Sequence, residues 1–472
     1  MATQTSIDTD VAVIGAGSAG LAAYRAARDA GKHALLIEGS AHGTTCARVG
    51  CMPSKLLIAP ADAAHAVARF PAFGMQAVEV KVDRRAVMER VRAERDRFVA
   101  FVTDDIDAIP ESDKMRGHAR FIDDRTLLVD DRVIVKAAAV VIATGSSPVF
   151  PAAWRPLADR LATNENVFEW DQLPESVAVF GPGVIGLEIG QALHRLGVRV
   201  KVFGRGGGVG PLSHPALIDY ARKVFGEEFY LDTNAHADVT RDGDEVVVTY
   251  RALDGSTQTE RFDYLVAATG RAPNVDKLGL ANTTLVLGAG GVPLYDRTTL
   301  QCGASSIFVA GDASNDAPLL HEAADEGRIA GDNAARFPAI RSGLRRALLS
   351  VVFTDPQICI VGGGYASVRS ASPVIGEVSF ENQGRARVML RNRGLLQVYA
   401  DRTTGLFLGA EMIGPDAEHI GHLLAWARQM NLSIDQMLEM PFYHPVVEEG
   451  LRTALRDART KLASIATARR AA

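Results

Sequence analysis

Cys46 and Cys51 are separated by four residues in the segment CARVGCMPSK. At the start of a helix, two side chains at this spacing can face each other and form a disulfide within a small loop. A helix N-terminus and the nearby Lys55 both provide positive charge, which lowers the pKa of a thiol and favours the reactive thiolate. The pair is therefore predicted to be a redox centre.

Metal binding is the other common use of closely spaced cysteines. Structural zinc sites usually combine CxxC-type pairs, whereas the two remaining cysteines of this chain, Cys302 and Cys359, are isolated. We therefore expect no metal site, and we expect Cys302 and Cys359 to be buried structural thiols. A disulfide in a chain without secretory features is more often catalytic than structural.

A glycine pattern typical of dinucleotide binding lies near the N-terminus. Its members are Gly15, Gly17 and Gly20. They connect a predicted strand at 10–14 to a predicted helix at 21–31. The first glycine allows a tight turn, the second lets the backbone approach a pyrophosphate, and the third lets helix and strand pack closely. Unpaired N–H groups at the helix N-terminus can bind the phosphates. Glu38, at the end of the next predicted strand, is placed to accept hydrogen bonds from a ribose.

The same order of strand, turn, helix and strand recurs at 177–203, which predicts a second nucleotide site. Its glycines are Gly181, Gly183 and Gly186. The acid expected at the end of the second strand is absent here, and the chain continues with Gly204 and Arg205. Arg205 could bind the 2′-phosphate of NADP or simply point to solvent, so the sequence leaves the choice between NAD and NADP open.

The remaining chain shows further strand ends and a change of pattern near residue 345. Two buried strands end in Thr-Gly turns, at Thr144-Gly145 and Thr269-Gly270, and a third apolar strand ends at Asp312. Alternation of helix and strand predicts an α/β fold with parallel sheets. From about residue 345 the pattern changes to alternating strands, for example at 386–390, followed by helices from 417.

The composition narrows the class of protein. The chain has 472 residues, of which 47% are apolar, and a net charge of −5. That charge does not suggest a nucleic-acid partner. No apolar run approaches the ~18–20 residues of a membrane span, and the first residues lack the features of a secretory signal. We expect a soluble, multidomain, cytoplasmic protein that binds neither nucleic acid nor membrane.

Together these motifs resemble the class I pyridine nucleotide–disulfide oxidoreductases, and most of all the dihydrolipoamide dehydrogenases among them. The resemblance covers essentially the whole chain. It rests on both glycine fingerprints, the second of which is followed by Glu188, on the redox segment, on the Thr-Gly turns and on Ala310-Gly311-Asp312. It also includes the C-terminal Tyr443-His444-Pro445 with Glu449.

The resemblance implies roles for individual residues. Asp312 would bind the ribityl chain of FAD, and Leu320 and His321 would lie at the pyrimidine ring of the flavin. Lys55 and Glu188 would pair beside flavin N5. The remaining cofactor-binding positions are Thr144, Gly145 and Gly270.

His444 would be a general base oriented by Glu449, and in this family such a base reaches the disulfide of the partner subunit. The active site would therefore exist only in a homodimer. Cys46 would be the thiol that exchanges with substrate, and Cys51 would be the thiol next to the flavin.

The implied fold is α/β, with two Rossmann-like dinucleotide-binding domains, for FAD and NAD(P), and a C-terminal α+β dimerisation domain. The segments are 1–148 (FAD, with the redox disulfide), 149–272 (NAD(P)), 273–345 (FAD, second part) and 346–472 (dimerisation). The implied activity is dihydrolipoyl dehydrogenase, with FAD and NAD as cofactors and NADP possible. The substrate would be a lipoyl-bearing protein or a small dithiol or disulfide.

Three positions depart from the family pattern. Arg48 replaces the usual Asn, Val446 replaces the usual Thr, and Gly204-Arg205 replaces the acid of NAD-linked members. Arg48 and Arg205 favour an alternative, an NADPH-dependent reductase of a low-molecular-weight disulfide, similar to glutathione reductase. A docking subunit with a structural flavin is a further alternative. Mercuric and thioredoxin reductases are expected to carry extra thiols near the C-terminus, and no cysteine follows Cys359.

Overall fold

The fold is taken from a computed structural model, which describes residues 5–76 and 79–471, with backbone only for 469–471. The strands are β1 (Thr5–Ile14), β2 (Ala34–Glu38), β3 (Lys114–Arg116), β4 (Ala119–Asp123), β5 (Thr126–Val129), β6 (Val133–Ile142), β7 (Ser146–Pro148), β8 (Leu161–Ala162), β9 (Ser176–Phe180), β10 (Arg199–Phe203), β11 (Tyr230–Asp232), β12 (Ala237–Asp242), β13 (Glu245–Arg251), β14 (Thr257–Phe262), β15 (Tyr264–Ala267), β16 (Arg271–Pro273), β17 (Ile307–Val309), β18 (Leu349–Val352), β19 (Gln357–Val361), β20 (Val374–Ser379), β21 (Leu395–Ala400) and β22 (Phe407–Gly414).

The helices are α1 (Ser18–Asp29), α2 (Thr45–Val49), α3 (Cys51–Ala68), α4 (Arg84–Asp107), α5 (Val184–Arg195), α6 (Pro215–Gly226), α7 (Leu320–Arg336), α8 (Gly364–Val368), α9 (Gly384–Val388), α10 (Ala417–Gln429), α11 (Ile434–Leu438) and α12 (Glu449–Ala471). Within the described ranges, none of these helices is long and apolar enough to cross a membrane.

The chain divides into two compact units. The first contains the residues up to Leu56, Glu89–Val149 and Gly270–Arg345; the second contains Leu57–Met88, Phe150–Thr269 and the residues from Arg346 onward. The α/β fold class is confirmed, while the division into four domain segments stays a prediction.

The first unit is built on one large sheet of order β3-β2-β1-β6-β5-β4, and β17 pairs with the last residues of β6, along the same edge as β5. β1 lies between β2 and β6 and is parallel to both. The central strands are mostly apolar because both faces of the sheet are covered: α1 and α7 pack on one face, and β4, β5 and the segment 275–302 contribute the core on the other. The chain reverses its direction of winding at β1, and ligands bind in such a crevice, outside the carboxyl ends of the strands.

Two glycines of α7 allow close packing of α7 against α1. A Cβ atom at Gly327 would lie 2.1 Å from the carbonyl oxygen of Ala19, and one at Gly331 would lie 2.2 Å from that of Ala23. A side chain at either glycine would therefore push the helices apart, so glycine fixes the distance between α1 and the helix that follows Asp312.

The second unit contains three sheets. A parallel sheet of order β11-β10-β9-β15-β8 carries the second glycine fingerprint, and the antiparallel β12-β13-β14 sheet shares its core. The third sheet, β18-β19-β22-β21-β20, is antiparallel, and α10 and α12 pack against it.

The strand predicted at 386–390 is wrong, because this segment forms α9 and the turn after it. The side chain of Gln383 accepts the N–H of Ala386 at 2.7 Å and so caps the helix. Ala386 is buried while Val388 is 66% exposed. The alternation of apolar residues resembles a strand, but the local capping bond decides the conformation.

Candidate active site

The first glycine turn connects β1 to α1 and leaves open space above Gly17. A Cβ atom at Gly20 would lie 1.7 Å from the carbonyl oxygen of Gly15, so close packing requires glycine there. A Cβ at Gly17 would meet nothing within 4 Å. No side chain caps the start of α1 at Gly17, which keeps its first N–H groups available for an anion. The turn therefore fits a pyrophosphate.

The Glu38 carboxylate lies beside this turn at the end of β2. Its Oε2 accepts the N–H of Ala16 at 2.8 Å, and its Oε1 accepts the N–H of Ser40 at 2.6 Å. A carboxylate can accept about four hydrogen bonds, so acceptor sites remain for ribose hydroxyls. The fixed position of the carboxylate fits the role predicted for Glu38, which stays a prediction.

Asp312 follows β17 and is held by a chain of hydrogen bonds. Ser146 Oγ donates to Asp312 Oδ2 at 2.6 Å, and Arg271 Nε donates to Ser146 Oγ at 2.8 Å. Ser146 and Arg271 each directly follow one of the two Thr-Gly turns, on β7 and β16, which pair with each other. Neither Ser146 nor Arg271 was predicted from the sequence. Their position after matching turns was the available signal.

The first Thr-Gly turn is joined to the chain after β16. Thr144 Oγ1 donates to the carbonyl oxygen of Asn274 at 2.8 Å, and Asn274 Nδ2 donates back to that of Thr144 at 3.0 Å. The N–H of Asn274 also donates to the carbonyl oxygen of Gly145 at 2.9 Å. Gly270 has a φ of +122°, in the region that favours glycine. These contacts fix the turn that follows β6.

Leu320 and His321 are exposed at the first positions of α7. A buried side chain of α7 holds the turn that precedes the helix, since Glu326 Oε2 accepts the N–H of Gly311 at 2.8 Å. Burial raises the pKa of Glu326, and the ion pair with Arg345 at 2.8 Å opposes that rise. The predicted contacts of Leu320 and His321 with a flavin stay predictions.

The second glycine turn has the same geometry. A Cβ at Gly186 would lie 1.9 Å from the carbonyl oxygen of Gly181, whereas Gly183 has open space. α5 begins there without a side-chain cap. These features fit a second pyrophosphate.

The end of the following strand differs from the first site. Gly204 occupies the place that Glu38 has in the first site. Gly15 donates its N–H to the carbonyl oxygen just before Glu38, and Gly181 donates its N–H to the carbonyl oxygen just before Gly204. A Cβ at Gly204 would lie 2.6 Å from the ring of Pro182. Proline also lacks the N–H that Ala16 donates to Glu38. The second site therefore lacks both the acid and its backbone partner.

The two cysteines lie at the junction of α2 and α3. Cys46 belongs to α2 and is half-buried, Cys51 begins α3 and is exposed, and both are free thiols in this structure. A hydrogen bond to Cys51 raises the pKa of Cys46, with burial and the charge of Cys51 acting in the same direction. The two sulfurs are therefore within hydrogen-bonding reach of each other, which is the proximity that a pair of cysteines needs to form a disulfide.

His444 and Glu449 lie together before and at the start of α12. His444 Nδ1 is 2.9 Å from Glu449 Oε2, and Arg452 Nη2 donates to Glu449 Oε1 at 2.7 Å. Burial acts to raise the pKa of Glu449, but the hydrogen bond and charge of His444, together with Arg452, outweigh it and hold the pKa below its usual value. The imidazole is 80% exposed, so it faces away from its own chain.

Known protein families match both the nucleotide-binding part and the C-terminal part of this chain. The family described as pyridine nucleotide-disulphide oxidoreductase matches residues 9–327, and the dimerisation domain of that family matches residues 348–455. The chain belongs to the pyridine nucleotide–disulfide oxidoreductases. Members of this family are FAD-dependent and bind NAD(P)H, which agrees with the two open glycine turns.

The relatives include enzymes with different substrates. A mercuric reductase of Streptomyces lividans is 32% identical, over 94% of this chain and 95% of its own length. A dihydrolipoyl dehydrogenase of Haloferax volcanii is 29% identical, over 95% and 96%. Among solved structures, LpdA of Mycobacterium tuberculosis has a TM-score of 0.78 at 25% identity and covers 95% of this chain and 99% of its own. The family is therefore established, whereas the substrate is not.

Two further residues expected in a pyridine nucleotide–disulfide oxidoreductase are located on different units. Lys55 is half-buried in α3 of the first unit, and its Nζ lies 3.3 Å from Ser54 Oγ. Glu188 is buried in α5 of the second unit, where its Oε1 accepts the N–H of Phe353 at 2.9 Å. Their pairing beside the flavin stays a prediction.

Arg48 and Arg205, the two unusual arginines, have different surroundings. Arg48 is half-buried in α2, in the same short helix as Cys46, and its Nη1 donates to the carbonyl oxygen of Ala41 at 3.4 Å. Arg205 is exposed after β10, and its side chain makes no hydrogen bond or ion pair with any residue that the structure describes. Both remain available to anionic groups of a substrate or nucleotide.

Proposed function

We propose that this flavoprotein is of the dihydrolipoamide dehydrogenase type. In the proposed reaction, a protein-bound dihydrolipoamide is oxidised by a Cys46–Cys51 disulfide, and NAD⁺ is the final electron acceptor. The proposal includes a homodimer that acts in the cytoplasm. The pairing of His444 with Glu449 carries the proposal, because a positioned base is needed when the incoming reductant is a protonated dithiol.

The side chains support a balanced exchange. His444 removes a proton from one thiol of the substrate, and the thiolate attacks Sγ of Cys46 while Cys51 leaves as a thiolate. The leaving sulfur of Cys46 then takes the first proton from the His444 imidazolium, while His444 takes the proton of the second substrate thiol; that sulfur attacks the substrate sulfur of the mixed disulfide and forms lipoamide. The protein thereby retains two electrons and two protons, one proton on Cys46 and one on His444. FAD, when bound, supplies the acceptor that returns the pair to the disulfide and delivers hydride to the nicotinamide.

Glu449 has a positioning role in this scheme. A bond from Nδ1–H of His444 to Glu449 leaves Nε2 free to accept the proton. The lowered pKa keeps the carboxylate ionised, so it stabilises the imidazolium that forms. Arg452 fixes the other carboxylate oxygen and limits the rotation of Glu449.

Exposed apolar side chains support the dimer. Leu423, Trp426 and Met430 are 43%, 66% and 71% exposed, and their spacing along α10 puts them on one face of that helix. Tyr443, next to His444, is 79% exposed. Large contiguous apolar patches on monomers usually mark protein interfaces. In the proposed homodimer a second copy covers this face, and the exposed His444 serves the partner subunit.

The proposal is tested by steady-state turnover of the purified full-length protein. Dihydrolipoamide with NAD⁺ is compared with glutathione disulfide and NADPH, and with Hg(II) and NADPH because mercuric reductases are among the relatives. We expect the highest kcat/KM with dihydrolipoamide and NAD⁺. A higher kcat/KM for either NADPH reaction would contradict the proposal that dihydrolipoamide is the substrate.

The second candidate is an NADPH-dependent reductase of a low-molecular-weight disulfide. The exposed Arg205 and the absence of an acid at Gly204 favour it, because a 2′-phosphate needs a cation where a free ribose hydroxyl needs an acceptor. Arg48 beside Cys46 would suit an anionic disulfide. The same turnover measurement distinguishes this candidate.

A further inference from the structure

A cavity of about 410 Å³ lies in the second unit, between α8, the start of β20 and α12. Its lining includes three cationic side chains and two hydroxyl groups, which are Arg369, Arg402, Lys461, Tyr365 and Ser372. No Asp or Glu lines it. Neither glycine turn contributes to this cavity, nor do the cysteines or His444.

The two arginines of this cavity are exposed, and the residues that the structure describes provide neither of them with a counter-ion. The guanidinium groups of Arg369 and Arg402 form no ion pair or hydrogen bond with any residue in the described ranges. Lys461 is partly neutralised, because its Nζ lies 2.6 Å from Asp457 Oδ2 and 2.8 Å from the carbonyl oxygen of Ile375. Like charges that line one cavity repel each other, and an anion between them would remove this cost.

One lining residue of the cavity, Tyr365, is held in place by contacts of its backbone and its ring. The N–H of Tyr365 donates at 2.6 Å to Glu411, whose carboxylate is completely buried. The same carboxylate accepts the N–H groups of Ser213 and His214 at 3.0 Å. The Tyr365 ring packs edge-on against His214, with 4.7 Å between ring centroids. The position of Tyr365 is therefore set before a ligand binds, which reduces the conformational entropy lost on binding at this residue.

We propose that this cavity binds a small polyanion, with phosphate or carboxylate groups held by Arg369 and Arg402. The planar guanidinium matches the oxygen pairs of such groups and binds them in a bidentate manner. Ile375 and Ile465 also line the cavity, so an apolar part of the ligand can be accommodated. The volume lies within the range of about 300–1,000 Å³ that is usual for small-molecule sites.

Inorganic pyrophosphate is the probe for the first test. Titration calorimetry is carried out on the FAD-loaded full-length protein with saturating NAD⁺, so that both glycine turns are occupied. Orthophosphate and sulfate at equal ionic strength are the comparison anions. We expect saturable binding of one pyrophosphate per chain, with a Kd below about 1 mM, and weaker binding of the two smaller anions.

The variant R369Q/R402Q removes the two charges that carry the proposal. Loss of a charge-assisted hydrogen bond costs about tenfold in affinity or more, so we expect the double variant to bind pyrophosphate at least about tenfold more weakly. The matched control is R385Q/R387Q, which removes two exposed arginines of α9 that do not line the cavity. We expect it to bind as the unaltered chain does.

Three outcomes would overturn the proposal. They are the absence of saturable binding, equal weakening in the control, and unchanged binding in R369Q/R402Q. Because two substitutions together could impair folding, R369Q and R402Q are also measured singly, and each should weaken binding. Turnover with dithiol or disulfide substrates is not the readout, so the result does not depend on the proposed catalytic activity.

Discussion

Pro182 occupies the space in which the side chain of an acid at position 204 would have to begin. The Cδ and Cγ atoms of Pro182 would lie 2.6 Å from a Cβ atom at Gly204. In the first nucleotide site the equivalent pair is Ala16 and Glu38, joined by a backbone-to-carboxylate hydrogen bond of 2.8 Å. The second site therefore differs from the first at two neighbouring positions, where proline stands in place of Ala16 and glycine stands in place of Glu38.

This coupling predicts the behaviour of three variants. Gly204→Glu alone should destabilise the protein by roughly 1–3 kcal/mol, the usual cost of overpacking. The double variant P182A/G204E should recover most of that loss and raise the ratio of kcat/KM for NAD⁺ over NADP⁺ by about tenfold. P182A alone is the control and should change neither property strongly. Thermal denaturation and steady-state kinetics provide the measurements, and equal instability of G204E and P182A/G204E would contradict the coupling.

The first glycine turn predicts a variant that folds but loses its flavin. Gly17→Ala adds a methyl group into open space at an ordinary negative φ of −78°, so the fold should be kept. The methyl group would lie between the backbone and the pyrophosphate, and we expect FAD affinity to fall by about tenfold or more. Gly226→Ala, also in open space but in α6, is the control. Circular dichroism reports the fold and the absorbance of the yellow protein reports FAD; full flavin content in G17A would contradict the assignment.

The two cysteines are expected to differ in a spectroscopic test. Cys51 begins α3 and is the thiol that the family resemblance puts next to the flavin, so we expect the thiolate of the reduced pair on Cys51. Cys51→Ser should therefore abolish the long-wavelength absorbance that a thiolate gives against bound flavin, and Cys46→Ser should retain it. Cys302→Ser serves as the control, since burial raises the pKa of that thiol to about 12. The opposite behaviour of the two variants would reverse the assigned roles.

Two aspartates with ion pairs of different burial predict different effects on stability. The Asp113 carboxylate is 4% exposed and accepts the Tyr24 hydroxyl at 2.9 Å, whereas Asp105 is 65% exposed and pairs with Arg25 at 2.9 Å. Burial acts to raise the pKa of Asp113, but hydrogen bonds from Ser112 and Tyr24 and the nearby Arg28 outweigh it and lower the pKa. We expect Asp113→Asn to cost roughly 1–3 kcal/mol near neutral pH. Asp105→Asn should cost about 0–1 kcal/mol.

The pH dependence of the Asp113 effect has a definite sign. A lowered pKa means that the folded state favours the ionised form, so this contribution is complete above the ordinary pKa of about 4 and is lost as the pH falls through the folded-state value. The difference between Asp113 and its Asn variant should therefore shrink below about pH 4. Denaturation midpoints at several pH values measure it, and a difference that grew on acidification would contradict the assignment.

The parts of the fold that depend on local pattern were predictable from the sequence. The glycine turns at Gly15 and Gly181 follow from strand, turn and helix order, because each element is encoded by adjacent residues. The hydrogen bonds from Ser146 to Asp312 and from Arg271 to Ser146 were not predicted, since they join residues more than a hundred positions apart. The helix at α9 was missed because one side-chain cap outweighs the alternation of apolar residues.

Loss of the proposed base should slow dithiol oxidation without loss of flavin. We expect His444→Ala to reduce turnover by roughly 10²–10⁴-fold, because a dithiol is largely protonated near neutral pH and needs a positioned base. His236→Ala removes another exposed imidazole, between β11 and β12, and should leave turnover near that of the unaltered chain. FAD content should be unchanged in both variants. Glu449→Gln should lower turnover less and alter its pH profile, because the imidazolium loses the carboxylate that stabilises it.

Mixing two inactive homodimers, His444→Ala and Cys46→Ser, tests whether the base acts across the dimer. After subunit exchange, a heterodimer with one subunit of each kind has one site with both defects and one site with neither, provided that His444 serves the partner's disulfide. Activity should then return and approach half of the unaltered value per heterodimer. Size-resolved labelling of the two variants verifies the exchange. If the subunits exchange and activity stays absent, His444 does not serve the disulfide of the partner subunit. A base that acted within its own chain would leave one defect in each site of the heterodimer.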